Sequence, residues 1–238
     1  MLKFMCIGAQ KSGTTWLYQQ LIQHPAIHFP GGKEVHFWNQ RIKTDGLSWY
    51  QQLFSADPSS IEGDITPAYS MLDEPEIRRI KAEYPDIRLL LMLRNPIERA
   101  WSAALMALTR AEMTHDEASD QWFLDHFNSQ GSRLRGDYVR AIRNWSAVYG
   151  MEALLVLDYE RLSTEPLSVL RDCSAFIGVS MHDGWSEAEV ASRVFQGLGH
   201  PLRPSLIEPL LSIYRPKIDE LSQLMGRSYA AWYEKFDH

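Results

Sequence analysis

The sequence predicts an α/β fold: a central, mainly parallel sheet flanked by helices in three layers. Three observations predict it. Short apolar runs stand at 4–8, 88–93 and 153–157. The first two lead into helical patterns and the third follows one, and short apolar strands alternating with amphipathic helices argue a parallel sheet covered on both faces. The first run also passes into its helix through a tight loop with glycines at 8 and 13. No repeat, low-complexity linker or composition shift divides the 238 residues, which are enough for one α/β domain over 1–238.

That first loop reads Gly8-Ala9-Gln10-Lys11-Ser12-Gly13-Thr14-Thr15-Trp16, and the helix after it carries Leu17, Leu21 and Ile22 on one side. Such a loop aims backbone N–H groups into one concavity at a helix N-terminus, where an anion is favoured. Lys11 adds a full charge, and Thr14 and Thr15 add hydroxyl donors, so the stretch reads as a phosphate cradle. It departs from the nucleotide-triphosphate pattern G-x4-G-K-[ST], because Thr14 follows Gly13 and the lysine precedes it by two.

Along the chain, 24–32 is a proline- and glycine-broken loop that delivers Lys33-Glu34-Val35-His36-Phe37-Trp38. Lys33 and Glu34 read either as a solvated pair on a surface turn or as a general base against an apolar wall, where desolvation raises a glutamate pKa. The residues alone leave both open. A short helix is expected over 44–54, and Glu62 to Tyr69 has the turn chemistry of a loop entering a helix over 74–83. Tyr69 reads as a packed aromatic whose hydroxyl needs a partner. The strand over 88–93 ends at Arg94, where a planar guanidinium is well placed to grip an oxyanion, and Pro96 opens a helix carrying Ser102. Segment 109–135 reads as a charged, mobile excursion with a helix near 119–127. Helices follow from Tyr138 to Tyr149, over 166–177, and over 205–224 with Gly226 as its stop. Ser180 to Ala191 reads as an acidic loop, and Gly197 and Gly199 sit in a second glycine-rich loop.

Composition narrows the function. A net charge of −6 without a basic block argues against a nucleic-acid partner. No apolar run approaches the roughly 20 residues of a membrane span. Cys6 and Cys173 lie in apolar surroundings and read as reduced, buried thiols. With the first strand starting near Lys3, no cleaved signal peptide is expected, and the expected location is cytoplasmic.

Together the motifs resemble the sulfotransferases that use 3′-phosphoadenosine 5′-phosphosulfate (PAPS), and most closely their heparan sulfate N- and 3-O-sulfotransferase-like branch. The resemblance rests on Gly8 to Thr15, Lys33 to Trp38, Thr66-Pro67-Ala68-Tyr69, Leu93 to Ser102, Gly136-Asp137-Tyr138 with Trp145, Tyr159-Glu160 and His200-Pro201. It implies a P-loop-containing fold and transfer of a sulfuryl group from PAPS to a hydroxyl or amine, with PAP as product and no metal required. By that resemblance Lys11, Ser12, Gly13, Thr14, Thr15 and Trp16 would hold the 5′-phosphosulfate, Arg94 and Ser102 the 3′-phosphate, and Gly197 and Gly199 would add backbone donors. Glu34 would be the general base, and Lys11 would neutralise charge on the leaving phosphate. Independently of the resemblance, the aromatic residues Trp38, Tyr69, Trp101 and Trp122 could wall an acceptor pocket or pack in the core, and Lys33, His36, Trp38 and Tyr69 are the candidate contacts to a small-molecule, lipid or carbohydrate acceptor.

Three departures shape the expectation. Ile65 stands where the carbohydrate branch has a lysine two residues before the matching Pro67. Gln196-Gly197-Leu198 replaces a K-G-R pattern, with Arg193 or Arg203 as possible substitutes. No basic groove suits a polyanionic glycan, so a smaller or neutral acceptor is expected. Two rivals stand beside this reading. A magnesium-dependent phosphotransferase would use Asp158 at the end of the third run, and an inactive nucleotide-binding scaffold would keep only the fold.

Overall fold

The computed structural model describes residues 1–237 apart from 56, 58 and 192–198. In chain order the elements are β1 (Leu2–Gly8), α1 (Thr14–Leu21), β2 (Ile27–His28), α2 (Leu47–Gln52), β3 (Ile61–Ile65), α3 (Glu74–Glu83), β4 (Arg88–Leu93), α4 (Pro96–Arg110), α5 (Asp120–Asn128), α6 (Gln130–Arg135) and α7 (Tyr138–Tyr149). β5 (Leu154–Asp158), α8 (Arg161–Thr164), α9 (Pro166–Ile177), α10 (Glu187–Ala191), α11 (Ile207–Met225) and α12 (Ala231–Glu234) complete the chain. Contacts group these into two compact units, Met1–Leu93 with Ile142–Phe195, and Arg94–Ala141 with Gln196–His238.

The first unit holds the sheet, whose order is β2-β3-β1-β4-β5 with every pairing parallel. From β1 the chain builds β2 and β3 on one side, then crosses to β4 and β5 on the other. The order therefore reverses beside β1, and ligands of open parallel sheets bind outside the carboxyl strand ends at such a switch point. Both faces are buried. Phe4, Cys6, Leu90 and Met92 pack with Trp16 and Leu17 of α1 and with Val169 and Cys173 of α9. The alternate residues Met5, Ile7, Leu89 and Leu91 are also fully buried, which explains the unbroken apolar reading of these strands. Cys6 and Cys173 are free, buried thiols, and burial pushes Cys6 up to about 12.

β3 corrects the sequence reading, which placed a loop over Glu62–Tyr69. Two acids and a glycine oppose a strand assignment on propensity, but each has a local reason here. A Cβ on Gly63 would lie 2.2 Å from the Phe4 ring, so only glycine lets β1 pack so closely. Glu62 accepts the Ser55 N–H at 2.8 Å, and Asp64 is fully hydrogen-bonded, as described below. The two-residue β2 likewise falls inside the expected 24–32 loop. α10 falls inside the expected 180–191 loop, where Ser186 and Glu189 exchange capping hydrogen bonds.

The second unit carries α4, α5, α6, α11 and α12. Asn95 caps α4 by accepting the Ile97 N–H at 3.0 Å, and Pro96 takes the first turn. The helix expected near 119–127 is α5, with Ser119 as its cap. α11 ends at Gly226, whose φ of 64° is the left-handed conformation expected of a C-terminal glycine.

Candidate active site

In the first unit the loop after β1 is built as a cradle. The Ala9 N–H donates to the Met92 carbonyl at 2.9 Å, fixing the loop's exit beside β4. Lys11 has a φ of 68° and Gly13 a φ of 90°. Gly13 is required twice over, by that conformation and because an added Cβ would meet Leu162 Cδ1 at 2.5 Å. Gly13 caps α1 with no side-chain acceptor and no acidic residue follows in the first turn, so the first-turn N–H groups are left to a ligand or water. Ser12 and Thr14 are buried, and the Ser12 Oγ has no partner among the described residues. Thr15 is exposed. Trp16 is buried and its indole donates to the Val190 carbonyl at 3.2 Å, so what it offers a ligand is its backbone N–H.

Glu34 arrives at the same end of the sheet by a second route. Lys33 forms a parallel bridge to Ile65, and the Glu34 N–H donates to the Ile65 carbonyl at 2.9 Å. Ile65 is paired with Cys6 of β1, two residues before Gly8. Glu34 and the cradle thus stand at the carboxyl ends of neighbouring strands. The Glu34 side chain is 42% exposed, ion-paired to Lys33, and 3.4 Å from His36 Nε2. Burial pushes its pKa up, but Lys33 and His36 outweigh that, and the carboxyl lies below its usual range. The rise expected from desolvation is therefore reversed by two neighbours on the same loop.

A buried carboxylate that sequence reasoning missed holds this loop. Asp64 accepts from the hydroxyls of Tyr50 (2.8 Å), Tyr69 (2.9 Å) and Thr66 (2.6 Å). The Tyr69 hydroxyl in turn accepts the Phe37 N–H at 3.1 Å, and Thr66 Oγ1 the His36 N–H at 3.4 Å. Tyr69 is fully buried and committed to this network, so it does not wall an acceptor pocket. Burial raises the Asp64 pKa against the three hydrogen bonds that lower it. A carboxyl whose folded pKa is raised stabilises the fold at low pH and loses that contribution as pH rises from its ordinary 3.8 through the folded value. Unfolding measured against pH is expected to show this decline in the wild type and not in Asp64→Asn. Asp64→Ala is expected to cost about 1–3 kcal/mol for each hydroxyl left unpaired, read as a lowered melting temperature.

In the second unit Arg94 immediately follows β4 and pairs with Glu98 Oε2 at 3.4 Å, while its carbonyl accepts from the Tyr138 hydroxyl at 2.8 Å. Glu98 also pairs with Lys235, and Asn95 Nδ2 donates to the Trp232 carbonyl at 2.5 Å. Ser102, half-buried, lies one turn beyond Glu98 on the same helix face. Arg203 does not replace the missing late-loop cations. Its guanidinium is spent on Asp120 (2.7 Å) and the His115 carbonyl (2.6 Å), over the Phe123 ring. Gly199 is exposed with a φ of 77°; Arg193, Gln196, Gly197 and Leu198 lie outside the described residues.

An uncapped helix after the first strand of a parallel sheet, with Lys11 in its loop, fits the class of P-loop-containing α/β proteins. Within that class the chain belongs to the sulfotransferase family, since the model of the sulfotransferase domain matches residues 2–198. It is 28% identical over 208 residues to mouse bifunctional heparan sulfate N-deacetylase/N-sulfotransferase 4, covering 78% of this chain and 23% of that protein. It is 26% identical over 252 residues to mouse heparan sulfate glucosamine 3-O-sulfotransferase 6, covering 94% and 72%. The chain thus spans about a quarter of the length of the first relative and most of the second. Among solved structures, the sulfotransferase from Alicyclobacillus acidocaldarius superposes with a TM-score of 0.74 at 27% identity, covering 98% of each chain. Mouse sulfotransferase SULT7A1 complexed with PAP shares the fold, with a TM-score of 0.55 at 18% identity over 80% of this chain and 62% of that one.

Proposed function

We propose that the protein is a PAPS-dependent sulfotransferase acting on a hydroxyl or amine of a carbohydrate acceptor. The observation that carries this reading is the placement of Glu34 and the Lys11 cradle at the carboxyl ends of adjacent strands. The cradle fits the donor's 5′ end: its glycine has no room for a side chain, its helix start is uncapped, and Ser12 keeps a buried hydroxyl without a partner. Bound PAPS supplies the activated sulfuryl group. Lys11 and the N–H groups of Gly13, Thr14, Thr15 and Trp16 bind the phosphosulfate, and Lys11 offsets the negative charge that grows on the departing phosphate oxygen. Glu34, whose pKa Lys33 and His36 hold below its usual range and which is therefore ionised across the neutral region, accepts the acceptor's proton as the acceptor's oxygen or nitrogen bonds to sulfur. Positioning and charge stabilisation are the protein's main contributions, as in phosphoryl transfer.

Arg94 and Ser102 take the 3′-phosphate in this reading. Arg94→Ala is expected to weaken adenosine 3′,5′-bisphosphate about 10- to 100-fold, the size of a lost charge-assisted contact, while AMP affinity stays level. Incubation with ³⁵S-labelled PAPS and a panel of neutral and acidic saccharides tests the function itself. A labelled ester or sulfamate is the expected product; donor binding without transfer to any saccharide would contradict the carbohydrate assignment.

A further inference from the structure

The turn that carries Glu34 is strained and held from outside. Glu34 and His36 have φ of 64° and 55°, on either side of the buried Val35. A Cβ disfavours that left-handed region, and such residues persist only where their surroundings over-determine them. Three anchors do so here. The Glu34 N–H goes to the Ile65 carbonyl, the His36 N–H to Thr66 Oγ1 at 3.4 Å, and the Phe37 N–H to the Tyr69 hydroxyl at 3.1 Å. Two of these anchors are hydroxyls, which either donate or accept, and Asp64 decides which. Its Oδ1 takes the Thr66 proton and its Oδ2 the Tyr69 proton, so both hydroxyls turn lone pairs to the loop. Tyr69 is itself fixed. It is fully buried, and Trp145 Nε1 on α7 donates to its carbonyl at 3.1 Å. Trp38, the other aromatic candidate contact, is also buried, edge-on to Phe37 and Tyr50.

We propose that Tyr69 is a positioning residue for Glu34: its hydroxyl, aimed by Asp64, holds the left-handed turn through the Phe37 N–H, and so keeps one Glu34 oxygen on Lys33 and the other facing His36. That Glu34 takes a proton from an acceptor rests on the sulfotransferase reading; that Tyr69 holds its turn does not. A residue expected to touch the acceptor thus serves the base instead. Tyr50 supplies the comparison. Its hydroxyl meets the same Asp64 oxygen at 2.8 Å and is equally buried, but among the described residues it takes no N–H of the turn. Its ring stacks on Phe37 with centroids 4.4 Å apart, a contact that phenylalanine keeps.

The test compares Tyr69→Phe with Tyr50→Phe. Each removes one hydroxyl, keeps the ring and costs Asp64 one hydrogen bond. Protein labelled with ¹³C at the glutamate carboxyls is titrated with acid by NMR, with Glu34→Gln assigning the signal. Lys33 and His36 hold the wild-type Glu34 carboxyl below its ordinary 4.5. Tyr69→Phe is expected to raise its midpoint toward 4.5, as the released turn lets His36 go, and Tyr50→Phe to leave it in place. Turnover of ³⁵S-labelled PAPS with the panel of neutral and acidic saccharides is expected to fall about 10- to 100-fold in Tyr69→Phe, the scale of an ångström-sized misplacement, and to stay within about twofold in Tyr50→Phe. Adenosine 3′,5′-bisphosphate is expected to bind both variants as it binds the wild type. If Tyr69→Phe does not fold, Thr66→Val, which takes the acceptor from the His36 N–H, is titrated in its place with the same expectation. An unmoved Glu34 midpoint in Tyr69→Phe, or equal shifts in the two tyrosine variants, would overturn the proposal. A wild type that transfers to no saccharide would count against the sulfotransferase reading, while the NMR titration still decides the positioning role.

Discussion

Glu34→Gln is expected to lower turnover by about 10²- to 10⁴-fold, the usual contribution of a positioned general base, while affinity for the donor stays within a factor of two or so of the wild type. Glutamine keeps the size and hydrogen-bonding reach of the side chain and removes its ability to take a proton. The backbone that places it is held by Ile65 and, through Tyr69 and Thr66, by Asp64, none of which the substitution touches. The pH profile gives an independent reading. Lys33 and His36 hold the Glu34 carboxyl below its usual range against the upward push of burial. The acidic limb it governs is therefore expected below the ordinary carboxylate value of 4.5, with no loss from this group between about pH 6 and 8. An acid limb near neutrality that disappears in Glu34→Gln would contradict the electrostatics described here.

Lys11→Ala is expected to reduce turnover by about 10²- to 10³-fold, comparable to removing one charge-stabilising donor from a preorganised site. Alanine keeps a Cβ, so the left-handed φ of 68° at this position is no easier to reach than before, and the change reports the ammonium group alone. Lys11→Arg is expected to restore part of the donor affinity and less of the turnover, because the planar guanidinium keeps the charge without the compact placement of an ammonium. Equal turnover in wild type and Lys11→Ala would remove Lys11 from the reaction.

Much of the fold is legible in the sequence where local chemistry agrees with the tertiary environment. β1 and β4 are short apolar runs buried on both faces, β5 is a partly buried apolar run at the sheet edge, and α3, α4, α7, α9 and α11 begin or end at proline, asparagine, aspartate or glycine signals that the structure uses. β3 is not legible, because its residues are satisfied by distant partners. Gly63 exists for the Phe4 ring, and Asp64 for the hydroxyls of Tyr50 and Tyr69. The candidate site divides the same way. The cradle announces itself through residue order, since Gly13, held at a φ of 90°, stands two residues after Lys11 in the loop between strand and helix. The direction of the Glu34 pKa shift depends on whether the wall or the neighbouring cations win, and spacing cannot decide that. Arg203 shows the reverse case, a cation that sequence places near a ligand but whose donors are occupied by Asp120 and His115.

The measurement that bears most directly on the central claim is calorimetric titration with adenosine 3′,5′-bisphosphate, ATP and AMP, each with and without magnesium. The account predicts tight, metal-independent binding of the bisphosphate and much weaker binding of the other two, because in the proposed reading the cradle would take the 5′-phosphate, and Arg94 and Ser102 would read the 3′-phosphate. A preference for ATP in the presence of magnesium would contradict it and favour a phosphotransferase, and failure to bind any of the three would leave a sulfotransferase fold without its donor.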